Sequence, residues 1–404
     1  MILAFAIIFT FEQTASAQHG ALDTTFGFMG TKTDQSSSKS MVASKIARQS
    51  DGKILAAGHM EGTGYPFDLL LLRRYNTNGS VDTGFGLSGF ATEEINGQPW
   101  YIYGEATSVA QMSDGSGRIV VGGGYYSFGS NQITPAIFCF TSSGVLDTSF
   151  GDDGRVTLPG QVGTMARSVV SLAGGKTLAM IHGPARVVRL NSDGSLDPTF
   201  GVSGIAESAV EGGIIVINRK GGGIVIGGSV LLNFPTPALQ YLNSNGTPST
   251  THGSNGFMTL SIGPACGGFV NTVSSLDTQT DGKVVLAFSC GSPGAVFNSI
   301  ARIRVDDSLD LGFGSNGYIV SNVTAYGTAR LRLSTKPSYN LVAYVNTGQS
   351  NANYLKSYTS SGTAYLSYSP SNYSVNDLLI QLDNKVVVLL HSPGGSIVLK
   401  RHLY

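Results

Sequence analysis

The stretch Gly20-Ala21-Leu22-Asp23-Thr24-Thr25-Phe26-Gly27-Phe28-Met29-Gly30 decides the fold, because it returns along the chain. Clear copies are Gly79-Ser80-Val81-Asp82-Thr83-Gly84-Phe85-Gly86, Gly144-Val145-Leu146-Asp147-Thr148-Ser149-Phe150-Gly151 and Gly194-Ser195-Leu196-Asp197-Pro198-Thr199-Phe200-Gly201. A further copy is Asp307-Ser308-Leu309-Asp310-Leu311-Gly312-Phe313-Gly314. Two worn copies keep the six-residue step from the turn glycine, Gly246 to His252 and Gly362 to Tyr368. The marker positions are therefore 26, 85, 150, 200, 252, 313 and 368, at a mean spacing of about 57 residues, the size of one supersecondary unit in a repeat architecture.

A second signature falls between the markers. Gln49-Ser50-Asp51-Gly52-Lys53 precedes Ile54-Leu55-Ala56-Ala57, and Gln279-Thr280-Asp281-Gly282-Lys283 precedes Val284-Val285-Leu286-Ala287. Looser forms precede the apolar runs at Ile119, Leu178, Ile224, Leu341 and Val386. An Asp-Gly or Asn-Lys step between two β-branched runs is the sequence form of a tight hairpin, where Gly or Asn takes a positive φ cheaply. One repeat then reads as four strands, at 89–93, 106–111, 119–122 and 136–140. The third run is continuously apolar rather than alternating, which predicts burial on both faces. Radial repetition of such units leaves only short, protected edges. The expected fold is all-β, a seven-bladed β-propeller of four-stranded antiparallel blades.

Composition fits that frame. Of 404 residues 54 are Gly, and only 12% are charged; turns consume the one, and sheets covered on both faces tolerate little of the other. Lys plus Arg and Asp plus Glu are each 25, for a net charge of zero. That balance argues against nucleic acid or an anionic membrane surface as partner, since both want a basic excess. At the start, Ile2 to Phe11 is apolar but too short to span a bilayer, and Ala15-Ser16-Ala17 is an A-x-A cleavage pattern. Residues 1–17 read as a secretory signal peptide without a basic residue before the apolar run; the alternative is a buried first strand. The expected mature chain, 18–404, is one propeller domain with repeats at roughly 20–78, 79–143, 144–193, 194–245, 246–306, 307–361 and 362–404. It is expected to be a monomer without stable membrane insertion, secreted, periplasmic or at the cell surface.

The paired motifs G-x-L-D-x-x-F-G-x-x-G and Q-x-D-G-K-I-L, in order over residues 20–404, resemble the delta-60 repeat family of bacterial exported proteins, whose repeats are taken to form propeller blades. That resemblance implies a location outside the cytoplasm and a binding or scaffolding role, with an unknown protein or glycan as partner. It implies no agreed catalytic residues.

The motif carboxylates Asp23, Asp82, Asp147, Asp197 and Asp310 invite a calcium reading, but a short carboxylate that caps its own turn is the simpler account. No C-x-x-C or H-E-x-x-H spacing occurs, and neither metal nor cofactor is expected. Cys139, inside Ala136-Ile137-Phe138-Cys139-Phe140, is expected to be a buried free thiol. Cys266 and Cys290, in the same repeat, are a candidate disulfide in an oxidising compartment. None of the six His falls in a nucleophile-base signature, and no G-x-S-x-G elbow exists.

In a meander the two recurring turn types emerge on one face, and the irregular loops on the other, where binding usually lives. Those loops are rich in rings in the first two repeats: Tyr65, then Trp100, Tyr101 and Tyr103, then Tyr125 and Tyr126. They form the candidate ligand surface, with Glu93, Glu94 and Glu105 nearby; packing of the rings against the rim is the plainer alternative. The expected function is an exported non-enzymatic binding or scaffold propeller, with a secreted carbohydrate-active enzyme using loop-face carboxylates as the rival.

Overall fold

A computed structural model describes residues 20–36, 39–61, 68–92, 94–95, 98–99, 101–102, 106–127, 132–158, 164–181, 185–218, 223–231, 235–260, 270–292, 295–322, 329–332, 341–345, 354–368, 375–392 and 394–403. Its regular structure is antiparallel sheet throughout. A representative blade runs from an innermost strand Ser108–Gln111 through Ile119–Ser127 and Gln132–Phe140 to an outermost Arg155–Thr157. The innermost strands Met41–Arg48, Ser108–Gln111, Ala166–Ser171, Glu211–Asn218, Val270–Thr278, Ala329–Arg332 and Val375–Ile380 each pack on the next, and the last packs on the first. The sheets thus close a ring, as in a β-propeller.

Two expectations are corrected. The blades of four strands number six rather than seven. The remaining large sheet has five strands, because the long connection after Phe90–Thr92 sends Tyr101–Ile102 back to pair with Asp68–Tyr75. The strand phase also shifts by one. Phe90–Thr92, read from sequence as the opening strand of a repeat, is the outermost strand of the preceding sheet, with Leu71 opposite Thr92 and Arg73 opposite Phe90. The L-D-x-x-F-G turn therefore reverses the chain between third and fourth strands. The Asp-Gly-Lys turn lies between first and second, so both recurring turns still share one face.

Packing follows the period of two along each second strand. Ile54 and Ala56 point into a cluster with Leu379, Val387 and Leu389 of one neighbouring sheet. Leu55 and Ala57 point the other way, to Val109, Ile119, Val121 and Phe138. Every residue of Thr177–Ile181 and of Val386–Leu390 is buried, as a strand covered on both faces requires.

The ring is sealed by the chain's two ends. Thr31–Asp34 is the outermost strand of the sheet whose other strands are Val375–Ile380, Val386–Leu390 and Ile397–His402, with Thr31 opposite Lys400 and Asp34 opposite Ile397.

Candidate functional site

The recurring turns come together as a clamp between sheets. Each motif Asp first caps its own turn: Asp197 Oδ1 accepts the Thr199 N–H at 3.0 Å and the Thr199 hydroxyl at 2.7 Å. Its other oxygen accepts from Arg189 Nε at 2.7 Å, on the third strand, and from Lys176 Nζ at 2.5 Å, on the Gly-Gly-Lys turn. The Arg189 guanidinium lies 4.6 Å from the Phe200 ring centre, and its Nη1 donates to the Ser244 carbonyl of the next sheet. One arginine thus joins a carboxylate, a ring face and a neighbouring backbone.

The same device recurs. Asp310 holds Arg302 at 2.8 Å and Lys283 at 3.2 Å, with Arg302 donating to the Ser360 carbonyl at 2.6 Å. Asp82 holds Arg74 at 2.8 Å and Lys53 at 3.0 Å, with Arg74 donating to the Ser142 carbonyl at 2.6 Å. At the ring closure Asp23 holds Arg401 at 2.7 Å and Lys385 at 2.9 Å across the two ends of the chain. Where the third strand carries Cys139 instead of arginine, Arg118 takes over from the turn, reaching Asp147 at 3.3 Å and the Ser192 carbonyl at 2.9 Å.

Burial pushes each of these carboxyls up, but their hydroxyl, amide and cation partners overcome it. Asp23, Asp82, Asp147, Asp197 and Asp310 all lie below the ordinary 3.8. The turn carboxylate Asp114, desolvated but bonded to Ser116 and Arg118, falls to about 2. The clamp carboxylates are ionised structural groups, and no group of three or more metal-ligating side chains occurs among the described residues.

The worn fifth copy exchanges the parts. Tyr241 stands where Arg74, Arg189 and Arg302 stand, and His252 replaces the Phe; their rings stack at 4.4 Å and 15°. His252 Nδ1 lies 2.7 Å from Asp307 Oδ1, and Asp307 Oδ2 accepts the Gly253 N–H at 2.7 Å. In the regular copies the position of Asp307 is a glycine facing the Phe ring: a Cβ at Gly79 would sit 2.8 Å from Phe26, and one at Gly144 would sit 2.7 Å from Phe85. Asp307 keeps the glycine-like φ of 64°, so His and Asp have replaced Phe and Gly as a pair. His252→Phe alone should cost about 2 kcal/mol, and His252→Phe with Asp307→Gly should recover about 1 kcal/mol or more of it. Urea titration of both single variants and the double variant measures this, and an additive cycle would refute the exchange.

Of the loop-face rings, Tyr125 is half-buried: its hydroxyl lies 3.2 Å from Thr157 Oγ1 and the Arg155 guanidinium stands 5.2 Å from its ring. It packs on the blade rim. Tyr101 pairs with Leu69 and Tyr126 with Ile133 in the backbone ladder. Tyr65, Trp100 and Tyr103 lie outside the described residues, as does Cys266. Cys290 is buried and disulfide-bonded. Cys139 is a free thiol whose pKa burial, with the nearby Asp147 charge, pushes up to about 12, which leaves it inert at neutral pH. His402, buried at the ring closure, falls to about 4 and bonds to the Gly20 carbonyl at 3.0 Å.

Comparison with known proteins agrees with the architecture. Residues 49–85, 115–150 and 185–200 match the model of DUF5122, described as a β-propeller domain of unknown function, which supports a β-propeller repeat family. No curated protein matches the chain. Among solved structures, an ulvan lyase from a new family of polysaccharide lyases aligns over 92% of this chain and 94% of its own, with a TM-score of 0.51 and 11% identity. A protein of unknown function from Dyadobacter fermentans aligns over 92% and 99%, at 0.42 and 12%. The Nup133 β-propeller domain of Vanderwaltozyma polyspora aligns over 92% and 100%, at 0.48 and 10%. At 11% identity the likeness to the ulvan lyase is one of fold alone.

Proposed function

We propose that the protein acts outside the cytoplasm as a non-enzymatic binding or scaffold propeller, with its contact surface on the irregular-loop face. The fate of the carboxylates carries this reading. Acid–base cleavage of a glycan needs a carboxyl or comparable group with a raised pKa beside a partner of different character. Among the described residues every shifted carboxyl moves downward, and the five motif aspartates are occupied by lysine and arginine. A disulfide at Cys290 suits an oxidising compartment, with Cys266 as its proposed partner. The rival reading, a carbohydrate-active enzyme, takes its test substrate from the ulvan lyase of similar fold.

The test is a glycan and protein-partner screen of the chain from Gln18 onward, beside a Trp100→Ala, Tyr101→Ala variant and an incubation with ulvan. The expected result is a retained ligand, at least tenfold weaker binding by the variant, and no unsaturated sugar product. Unchanged binding by the variant would remove the aromatic surface, and accumulating product would overturn the non-enzymatic reading.

A further inference from the structure

On the recurring-turn face, the mouth of the central channel holds a cavity of about 680 Å³ between three consecutive inner strands. The turn after each strand is closed by a backbone bond from the residue that follows the strand, Gln49 N–H to Lys53 O, Met112 N–H to Arg118 O in a turn two residues longer, and Leu172 N–H to Lys176 O. Arg48, Gln111 and Ser171 are therefore register equivalents, side by side around the mouth.

Two of the three serve the scaffold in the same way. Gln111 Oε1 accepts the Ser50 N–H at 2.7 Å, and Ser171 Oγ accepts the Ser113 N–H at 2.8 Å. Each ties its sheet to the turn of the sheet before. Arginine has no acceptor atom, so Arg48 cannot take this part. It is exposed, lines the cavity, and among the described residues its side chain makes neither an ion pair nor a hydrogen bond. The clamp arginines, by contrast, are each committed to a carboxylate and a carbonyl.

The other polar side chains of the lining include hydroxyl and amide groups that still have protons to give, the Ser116 hydroxyl being spent on Asp114. With its oxygen spent, Gln111 offers its amide N–H groups; Ser171, accepting already, has its proton to give; the Ser50 and Ser113 hydroxyls line the same space. Buried Val109 and Val169 supply apolar wall, and no carboxylate is among the described residues that line the cavity. One unpaired guanidinium among hydroxyl and amide donors is the complement of a single carboxylate carried on a hydroxylated skeleton. The volume lies within the roughly 300–1,000 Å³ of small-molecule sites.

We infer that this mouth binds a small hydroxylated organic carboxylate, of the size of a sugar acid, through Arg48. The site is on the face opposite the loop surface proposed above and does not depend on it. Calorimetric titration with glucuronate, with glucose as the neutral control, tests it on wild type, Arg48→Gln, Arg48→Lys and the Trp100→Ala, Tyr101→Ala variant. Saturable glucuronate binding is expected, at least tenfold weaker for glucose and for Arg48→Gln, with Arg48→Lys keeping part of the affinity and the loop-face variant unchanged. Because Arg48 is exposed and unbonded, the melting temperature of Arg48→Gln should match wild type, so lost binding is not lost folding. Glucose binding as well as glucuronate, full affinity in Arg48→Gln, or no saturation by glucuronate in wild type would each overturn the inference.

Discussion

Replacing Arg189 by Met should lower the unfolding free energy at neutral pH by about 3 kcal/mol, the lower end of the cost of stripping one partner from a buried ion pair. Asp197 is only 2% exposed, and Lys176 remains beside it after the substitution, which keeps the loss from being larger. The pH dependence separates the charge effect from packing. Desolvation raises the Asp197 carboxyl, but Lys176, Thr199 and Arg189 hold it well below the ordinary 3.8. A depressed folded pKa contributes stability that is complete above the unfolded value and is lost as pH falls through the folded one. The unfolded chains titrate alike, so the gap between wild type and Arg189→Met should be full at pH 7 and narrow as pH falls through the folded Asp197 carboxyl of the variant, which lies above that of wild type once Arg189 is gone. Urea midpoints at pH 7 and pH 3 measure it. A gap that does not change with pH would assign the loss to the guanidinium stacked over Phe200 rather than to the ion pair.

Gly86→Ala should cost 3 kcal/mol or more, the range of backbone displacement in a packed site. Gly86 has a φ of 52°, and a Cβ there would fall on the Phe90 carbonyl. That carbonyl accepts the Leu87 N–H at 2.7 Å, while the Gly86 N–H itself donates to Ser143 of the next sheet at 2.7 Å. The strain cannot be relieved without opening both bonds. Gly84, two residues away, has only Asp82 Oδ1 nearby, at 3.5 Å from an added Cβ, so Gly84→Ala should stay within about 0.5 kcal/mol of wild type. Thermal melts of the two variants provide the contrast, and equal effects would refute it.

The same carbonyl contact recurs at Gly27, Gly151, Gly201, Gly253 and Gly314. It explains why the worn fifth copy lost its Phe and kept the following Gly. Such positions were legible in the sequence because a turn repeats whatever its surroundings. The arginine clamp was not picked out, although Arg74, Arg189 and Arg302 each stand eight residues before their Asp. The spacing acquires meaning only when third strand and turn are known to fold onto each other, and at the ring closure Asp23 and its Arg401 lie at opposite ends of the chain. Strand phase is hidden in the sequence for a related reason. A recurring turn marks a reversal but not which pair of strands it joins, and the sheet of Phe90–Thr92 shows the marker sitting inside a blade. The loop face, where sequence placed the aromatic candidates, varies from repeat to repeat. There the repeats give no register to read: Tyr125 packs on the rim, while Tyr101 and Tyr126 sit in the backbone ladder opposite Leu69 and Ile133.

The seam between the two ends has a consequence for how the molecule is made. Arg401 Nη2 donates to Thr25 Oγ1 across 376 residues, and Gly20 and Leu403 exchange backbone bonds with their opposite termini. Among the described residues these contacts join positions at nearly the greatest separation in sequence, so their closure entropy is met last. During synthesis the segment carrying Asp23 and Thr31–Asp34 emerges first and waits for a strand that does not yet exist. Until Ile397–His402 arrives, the chain is an open arc with two unpaired edges. Arrival of that one strand is then also the step that converts a row of sheets into a circle.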